Sequence, residues 1–348
     1  MPSNPRLLSL STAVPDHVLV QDDVKAWAAR HFDGRNKDIE RLLPAFDNAG
    51  IKTRYSCLPL EWHKNGHRWR DKNRLYLENA VELLTRAATQ CLEKAGLGPE
   101  SVDAVVAVSS SGFATPSLDA LIMQRLGLRE NVVRLPVFGL GCVGGVLGLA
   151  RAAEMARAEP GRRVLLLVVE LCGLTFRSED VSKSNVIATV LFGDGAAAAL
   201  VAATGDGPEI SRPGQHTWPD SLDVMGWNIE DDGFGVLFSE NIPALILKEM
   251  PPVLDAYLNA NDFTLDDFDG FICHPGGAKV VTALEKVFKI EAGCLHHTRQ
   301  VLQDFGNMSA ATVMFVLDRF IAEGRRGRYL MSALGPGFTA GFLTVEIP

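Results

Sequence analysis

Three residues, Cys142, His274 and Asn307, have side chains that could together do nucleophilic chemistry: a thiol, an imidazole base and an amide donor. Cys142 lies in Gly139-Leu140-Gly141-Cys142-Val143-Gly144-Gly145, ahead of an alanine-rich run that continues to Ala158. A helix start offers unpaired N–H groups and partial positive charge, which favour a thiolate. The flanking glycines let backbone approach closely. A lone cysteine is most often an inert core residue; the glycines and the helix-start placement favour a nucleophile here. His274 ends a short apolar run and precedes Pro275-Gly276-Gly277. It is either a histidine packed at a tight turn or a base that keeps Cys142 ionised and then donates a hydrogen bond. Asn307, in Gly306-Asn307-Met308-Ser309, is either a helix N-cap or a neutral amide donor to an oxyanion.

Spacing ties the three together. Ser109 to Cys142 and His274 to Asn307 both span 33 residues, while Cys142 to Glu170 and Asn307 to Gly335 both span 28. The apolar runs Ala104–Val108, Val132–Phe138 and Val164–Val169 read as strands, the last as a central parallel one. The helical patterns are Leu75–Lys94, stopped by Gly96, and the run to Ala158. After the Gly- and Pro-rich stretch Ala203–Gln215, short strands at Gly270–Cys273 and Tyr329–Ala333 flank a helix reaching about Ile321. Residues 17–100 read as mainly helical. Each half is expected to run strand, helix, strand, helix, strand, a duplicated α/β unit divided into 1–204 and 205–348. Pseudo-symmetry then brings Cys142, His274 and Asn307 to one seam, at the strand ends and helix starts where α/β folds place chemistry.

Composition removes other classes. Of 348 residues, 47% are hydrophobic and 22% charged, as in a globular protein. The net charge of −8 argues against a phosphate-neutralising nucleic-acid binder. The uncharged run Leu135–Ala150 has 16 residues with five glycines, too short for a membrane span. No signal peptide is visible. The six cysteines form no CxxC pair and read as reduced, in a cytoplasmic protein. Cys294, His296 and His297 are close, but no second ligand pair has finger-like spacing, so no metal is expected. Phe192-Gly193-Asp194-Gly195 and Gly335-Pro336-Gly337 fit no phosphate-binding glycine motif, so no nucleotide cofactor is expected.

At these residues the sequence resembles the type III polyketide synthases, the chalcone synthase-like branch of the thiolase superfamily, of the bacterial alkylpyrone/alkylresorcinol type. The segments are GCVGG around Cys142, LFGDGAAA at 191–198, HPGG at 274–277, GNMSAA at 306–311 and GPGFT at 335–339. Ketoacyl synthase III enzymes are also thiolase duplications, but carry a glutamine-alanine-asparagine run after the histidine, where this chain has Pro275-Gly276-Gly277. The resemblance implies a five-layered αβαβα fold, a homodimer, an acyl-CoA starter and malonyl-CoA as extender. Cys142 matches the acylated nucleophile; His274 and Asn307 match the decarboxylation and condensation pair. Phe192 matches the gate between CoA tunnel and cavity. Ser110, Ser111, Cys172, Thr175 and Ser309 match cavity-wall positions. Thr115 matches a position that reaches into the partner's cavity, where plant enzymes carry methionine. Gly335, Pro336 and Gly337 match the cyclisation-pocket loop.

The chain also departs from its relatives. Ala333-Leu334 stands where many read Gly-Phe, and Val236 replaces a cavity phenylalanine that packs on aromatic starters. Of the basic cluster that meets CoA phosphates, Arg41 could serve while Pro44 and Asn48 stand at neighbouring positions, so the phosphates are met by other groups, Lys52 or Arg54, or are held weakly. Small side chains at Ser110, Ser111, Thr115 and Cys172 suggest an open apolar passage, hence a medium- or long-chain fatty acyl-CoA starter and alkylpyrone or alkylresorcinol products. The alternatives are a single-condensation ketoacyl synthase III-like enzyme and a catalytically inactive thiolase-fold binding subunit.

Overall fold

The structure, a computed structural model, describes residues 4–239 and 241–348. Thirteen strands are found among them: β1 (Arg6–Ala13), β2 (His17–Val20), β3 (Thr53–Ser56), β4 (Ala104–Val108), β5 (Val133–Val137), β6 (Arg163–Leu171), β7 (Asp194–Ala202), β8 (Glu209–Thr217), β9 (Met225–Glu230), β10 (Gly233–Phe238), β11 (Gly270–Cys273), β12 (Gly327–Gly335) and β13 (Thr339–Ile347). Nine of them join in the order β11-β12-β13-β8-β1-β7-β6-β4-β5. The two half-sheets meet between β1 and β8 through one residue pair, Arg6 and Glu209, whose side chains form an ion pair at 2.9 Å.

Side-chain alternation along the strands sets the layers. On one face, Val106 and Val108 of β4 and Leu166 and Val168 of β6 pack on the helices Gly144–Ala158 and Thr312–Ala322. Met331 of β12 and Val345 of β13 press on those helices from the other side. On the opposite face, Val105, Leu165 and Leu167 meet the long helix Trp69–Lys94. Leu330, Ala340 and Phe342 cover the helices Ile242–Ala260 and Ala278–Val287. The result is helix, half-sheet, central helices, half-sheet, helix: the expected duplicated αβαβα arrangement. Burial on both faces explains why β4 and β6 read as unbroken apolar runs.

The duplication is less regular than the spacing implied. Among the described residues the second half has no strand at the place of β5; the helix His296–Phe305 stands there. Val301, Leu302 and Phe305 recur at helical intervals, and no alternating run of β-branched residues precedes Asn307. Residues 17–100 are mainly helical, as expected, with the short strands β2 and β3 pairing antiparallel within them.

Candidate active site

The seam between the central helices holds the three candidate residues. Cys142 sits in a short 3₁₀ turn, Gly141–Val143, that runs directly into the helix Gly144–Ala158. Asn307 precedes a matching turn, Ser309–Ala311, that leads into Thr312–Ala322. His274 follows the last residue of β11, its N–H donating to the Ser332 carbonyl at 2.9 Å. All three line one cavity, with Met225, Phe238, Ile246, Met250, Ser332 and Leu334 supplying much of its wall.

Local hydrogen bonds orient the polar groups. Asn307 Oδ1 accepts the Ser309 N–H at 2.8 Å, which fixes the amide; Nδ2 makes a long contact, 3.4 Å, to the Gly276 carbonyl and lies within reach of the Cys142 thiol. Both ring nitrogens of His274 are buried with no hydrogen-bond partner among the described residues. Such a group in a native fold is costly unless a ligand completes it. Burial pushes the His274 ring down to about 3 and the Cys142 thiol up to about 12, the latter helped by the negative charge of Glu170 and opposed by hydrogen bonds from Ser309 and Asn307. Burial thus works against ionisation of both groups, in opposition to the turn's dipole, which favours a thiolate.

Glu170 was visible in the sequence only as a spacing landmark. It ends the apolar run of β6, and an acid at the end of a fully buried strand is the signal that marks it. Its Oε2 accepts the Ser110 N–H at 3.0 Å and its Oε1 the Ser309 hydroxyl at 3.4 Å. Burial, its largest influence, raises its pKa to about 7. The folded state thus binds a proton between about pH 4.5 and 7 that the unfolded chain releases, so Glu170 makes stability fall as pH rises through that window. Glu170→Gln is expected to stabilise the protein at pH 8 by up to about 3 kcal/mol and to leave it unchanged near pH 4. Chemical denaturation at the two pH values checks this. The same substitution removes a negative charge behind Cys142, so alkylation of Cys142 at pH 8 should become faster.

The other candidates divide into groups. Cys172, Thr175 and Phe192 line a second, mostly apolar pocket with Leu19, Val24 and Trp27. Phe192 also packs on Phe238, a wall of the Cys142 cavity, at 5.7 Å between ring centroids, and its backbone bridges that of Asn307. Val236 pairs with Trp227 across the β9–β10 hairpin and joins the same apolar cluster as Phe192 and Cys172. Ser110 and Ser111 are buried but committed to backbone: Ser110 Oγ accepts from Gly139 and Gly141, Ser111 Oγ from Leu171. Neither lines either pocket; they brace the nucleophile turn and the end of β6. Thr115 is exposed. Gly335 and Pro336 lie against the Cys142 turn, and a β-carbon on Gly335 would stand 2.5 Å from the Leu140 carbonyl oxygen. The Gly337 carbonyl accepts from Ser221 Oγ at 3.1 Å. Arg54, a candidate for CoA phosphates, is buried and donates to the carbonyls of Thr189, Val190 and Phe192. Lys52 and Arg41 remain exposed.

All six cysteines are free, and among the described residues no helix is long and apolar enough to cross a membrane. Comparison with known proteins agrees with the geometry. Residues 3–205 match the family described as chalcone and stilbene synthases, N-terminal domain, and residues 209–346 its C-terminal domain. A putative chalcone synthase of Bacillus subtilis (strain 168) is 38% identical, the match covering 97% of each chain. A 1,3,6,8-tetrahydroxynaphthalene synthase of Streptomyces peucetius subsp. caesius is 35% identical over 97% of this chain and 92% of its own. The crystal structure of 1,3,6,8-tetrahydroxynaphthalene synthase from Streptomyces coelicolor A3(2), a bacterial type III polyketide synthase, superposes with a TM-score of 0.94 at 26% identity, covering 98% of this chain and 99% of that one. The chain belongs to the chalcone and stilbene synthase family and is a type III polyketide synthase.

Proposed function

We propose that this synthase loads a medium- or long-chain fatty acyl-CoA onto Cys142, extends it with malonyl-CoA and releases alkylpyrones or alkylresorcinols. His274 takes the Cys142 proton as sulfur attacks the thioester carbonyl, and returns it to the departing CoA thiolate. Malonyl-CoA then loses CO2. The enolate oxygen is held by an N–H of His274 and by Asn307 Nδ2, where preorganised donors in a dry cavity gain most. The enolate carbon attacks the acyl-cysteine carbonyl and the C–S bond breaks, freeing Cys142 for the next round. No cofactor takes part in these steps; the CoA thioesters are substrates.

The observation that carries the starter assignment is the apolar pocket beside Phe192. Leu19, Val24, Trp27, Phe176 and Ala188 offer an alkyl chain hydrocarbon contact next to the Cys142 cavity. Each methylene buried there contributes about 0.8 kcal/mol. A product screen by mass spectrometry tests it, with butanoyl- to stearoyl-CoA and aromatic acyl-CoAs as starters. Octanoyl- to stearoyl-CoA should give cyclic tri- or tetraketides, and Ala188→Leu should suppress the longest chains while sparing butanoyl-CoA. Preferred use of aromatic starters would refute the assignment. A single β-ketoacyl product would point to the ketoacyl synthase III-like alternative.

The same reading includes a homodimer. The edge strand β5 exposes Val133, and Phe113 and Phe138 stack at 4.9 Å while remaining 37% and 52% exposed. A second copy covering this edge would bury them beside Thr115, the position that reaches the partner's cavity in relatives. Phe138→Lys should shift the sedimentation coefficient toward the monomer; an unchanged value would place the contact elsewhere.

A further inference from the structure

We propose that His296, His297 and Glu323 form a binding site for one divalent transition-metal ion of the zinc type, linking the start of the helix His296–Phe305 to the end of the helix Thr312–Ala322. One ligand atom from each of the three side chains lies within 4.8 Å of the others. His297 Nε2 is 3.1 Å from Glu323 Oε2, and the His297 side chain is only 3% exposed. Neither of its ring nitrogens has a well-aligned hydrogen bond among the described residues. A buried imidazole left in that condition calls for an explanation, and an ion is one. The ring is held in place by Phe320, edge-on at 4.7 Å, and faces the His296 ring at 3.8 Å between centroids.

The donor set selects the ion. Two imidazoles and one carboxylate suit zinc, copper, nickel or cobalt, whereas magnesium and calcium prefer all-oxygen shells. Three protein ligands leave a fourth position for water. The other charged group at the site is Arg325, whose Nε lies 3.2 Å from Glu323 Oε2. Cys294 is exposed and stands outside the cluster. The sequence argued against a metal because no second ligand pair has finger-like spacing; the third ligand instead comes from the end of the neighbouring helix, which only the fold brings close. The site sits at the opposite end of the helix His296–Phe305 from Asn307, about 15 Å away along ten residues. An ion there acts as a clamp on the helix pair rather than on the reacting atoms.

Titration of tag-free, chelator-stripped protein with Zn2+ by calorimetry, and with Co2+ by its visible d–d absorption, tests the proposal. The expected result is one ion per chain, with a melting temperature that rises in excess Zn2+. His297→Ala removes a buried ring and can cost stability by itself, so the informative variants are the exposed ligands, His296→Ala and Glu323→Gln. Each should weaken binding by about 10–100-fold or more and abolish the thermal shift. Cys294→Ser should bind as the parent does. No stoichiometric ion, undiminished binding in the His296→Ala/Glu323→Gln double variant, or loss of binding in Cys294→Ser would each overturn the assignment.

Discussion

Cys142→Ala is expected to give no polyketide from any starter, whereas Asn307→Ala should still accept the starter but condense it about 10²–10³-fold more slowly. The two outcomes differ because the two groups act at different steps. Without Sγ there is no thioester to extend. Without the Asn307 amide, sulfur still attacks, and one equivalent of CoA per subunit is released from the starter. What is lost is a donor aimed at the enolate. Asn307→Asp makes the sharper test. Aspartate keeps the size of the side chain and can still accept the Ser309 N–H, the contact that holds Oδ1 at 2.8 Å. It places a second oxygen where Nδ2 stood, so it repels the developing enolate instead of stabilising it. Asn307→Asp should therefore be at least as impaired as Asn307→Ala in malonyl-CoA decarboxylation while its acylation burst persists. Near-normal decarboxylation in Asn307→Asp would exclude Nδ2 as the oxyanion donor.

Much of this geometry was legible before the fold was known, and the reasons are local. β4 and β6 are buried on both faces, so they appear as uninterrupted apolar runs. The two nucleophile-side and amide-side turns share a form, a glycine-bearing segment leading into an apolar helix, and that shared form produced the matched spacings. The roles of Ser110 and Ser111 were not legible, because a serine hydroxyl serves equally well as a cavity wall or as an acceptor for backbone N–H groups. Only the placement of Gly139, Gly141 and Leu171 decides between them. The role of Arg54 was not legible for a related reason. A basic residue near a phosphate-binding region suggests an anion, but its guanidinium is spent on the carbonyls that end the helix Lys183–Leu191, which lie far along the chain. The charge state of Cys142 was also out of reach, since a helix start argues for ionisation and burial argues against it, and sequence does not report depth.

The largest stability effect should come from the seam itself. Gly145 is the second residue of the helix behind Cys142, and a β-carbon there would stand 2.3 Å from the carbonyl oxygen of Ala310 and 2.7 Å from a Val313 methyl. The first is backbone, so no rotamer change relieves it. The turn Ser309–Ala311 would have to move away from the Cys142 turn, taking the Asn307–Ser309 hydrogen bond with it. Overpacking of a close-packed interior typically costs about 1–3 kcal/mol, and a clash with backbone belongs at or above the top of that range. Gly145→Val should therefore be destabilised by at least about 3 kcal/mol in chemical denaturation. Gly226→Ala is the matched control, because a β-carbon there meets nothing within 4 Å, and it should stay within about 0.5 kcal/mol of the parent. The fraction of Gly145→Val that remains folded should also condense more slowly, since the clash displaces the amide donor from the nucleophile. If Gly145→Val matched the control in both stability and turnover, the two halves would not be held together by direct backbone approach at this point, and the alignment of Cys142 with Asn307 would have to come from the sheets alone.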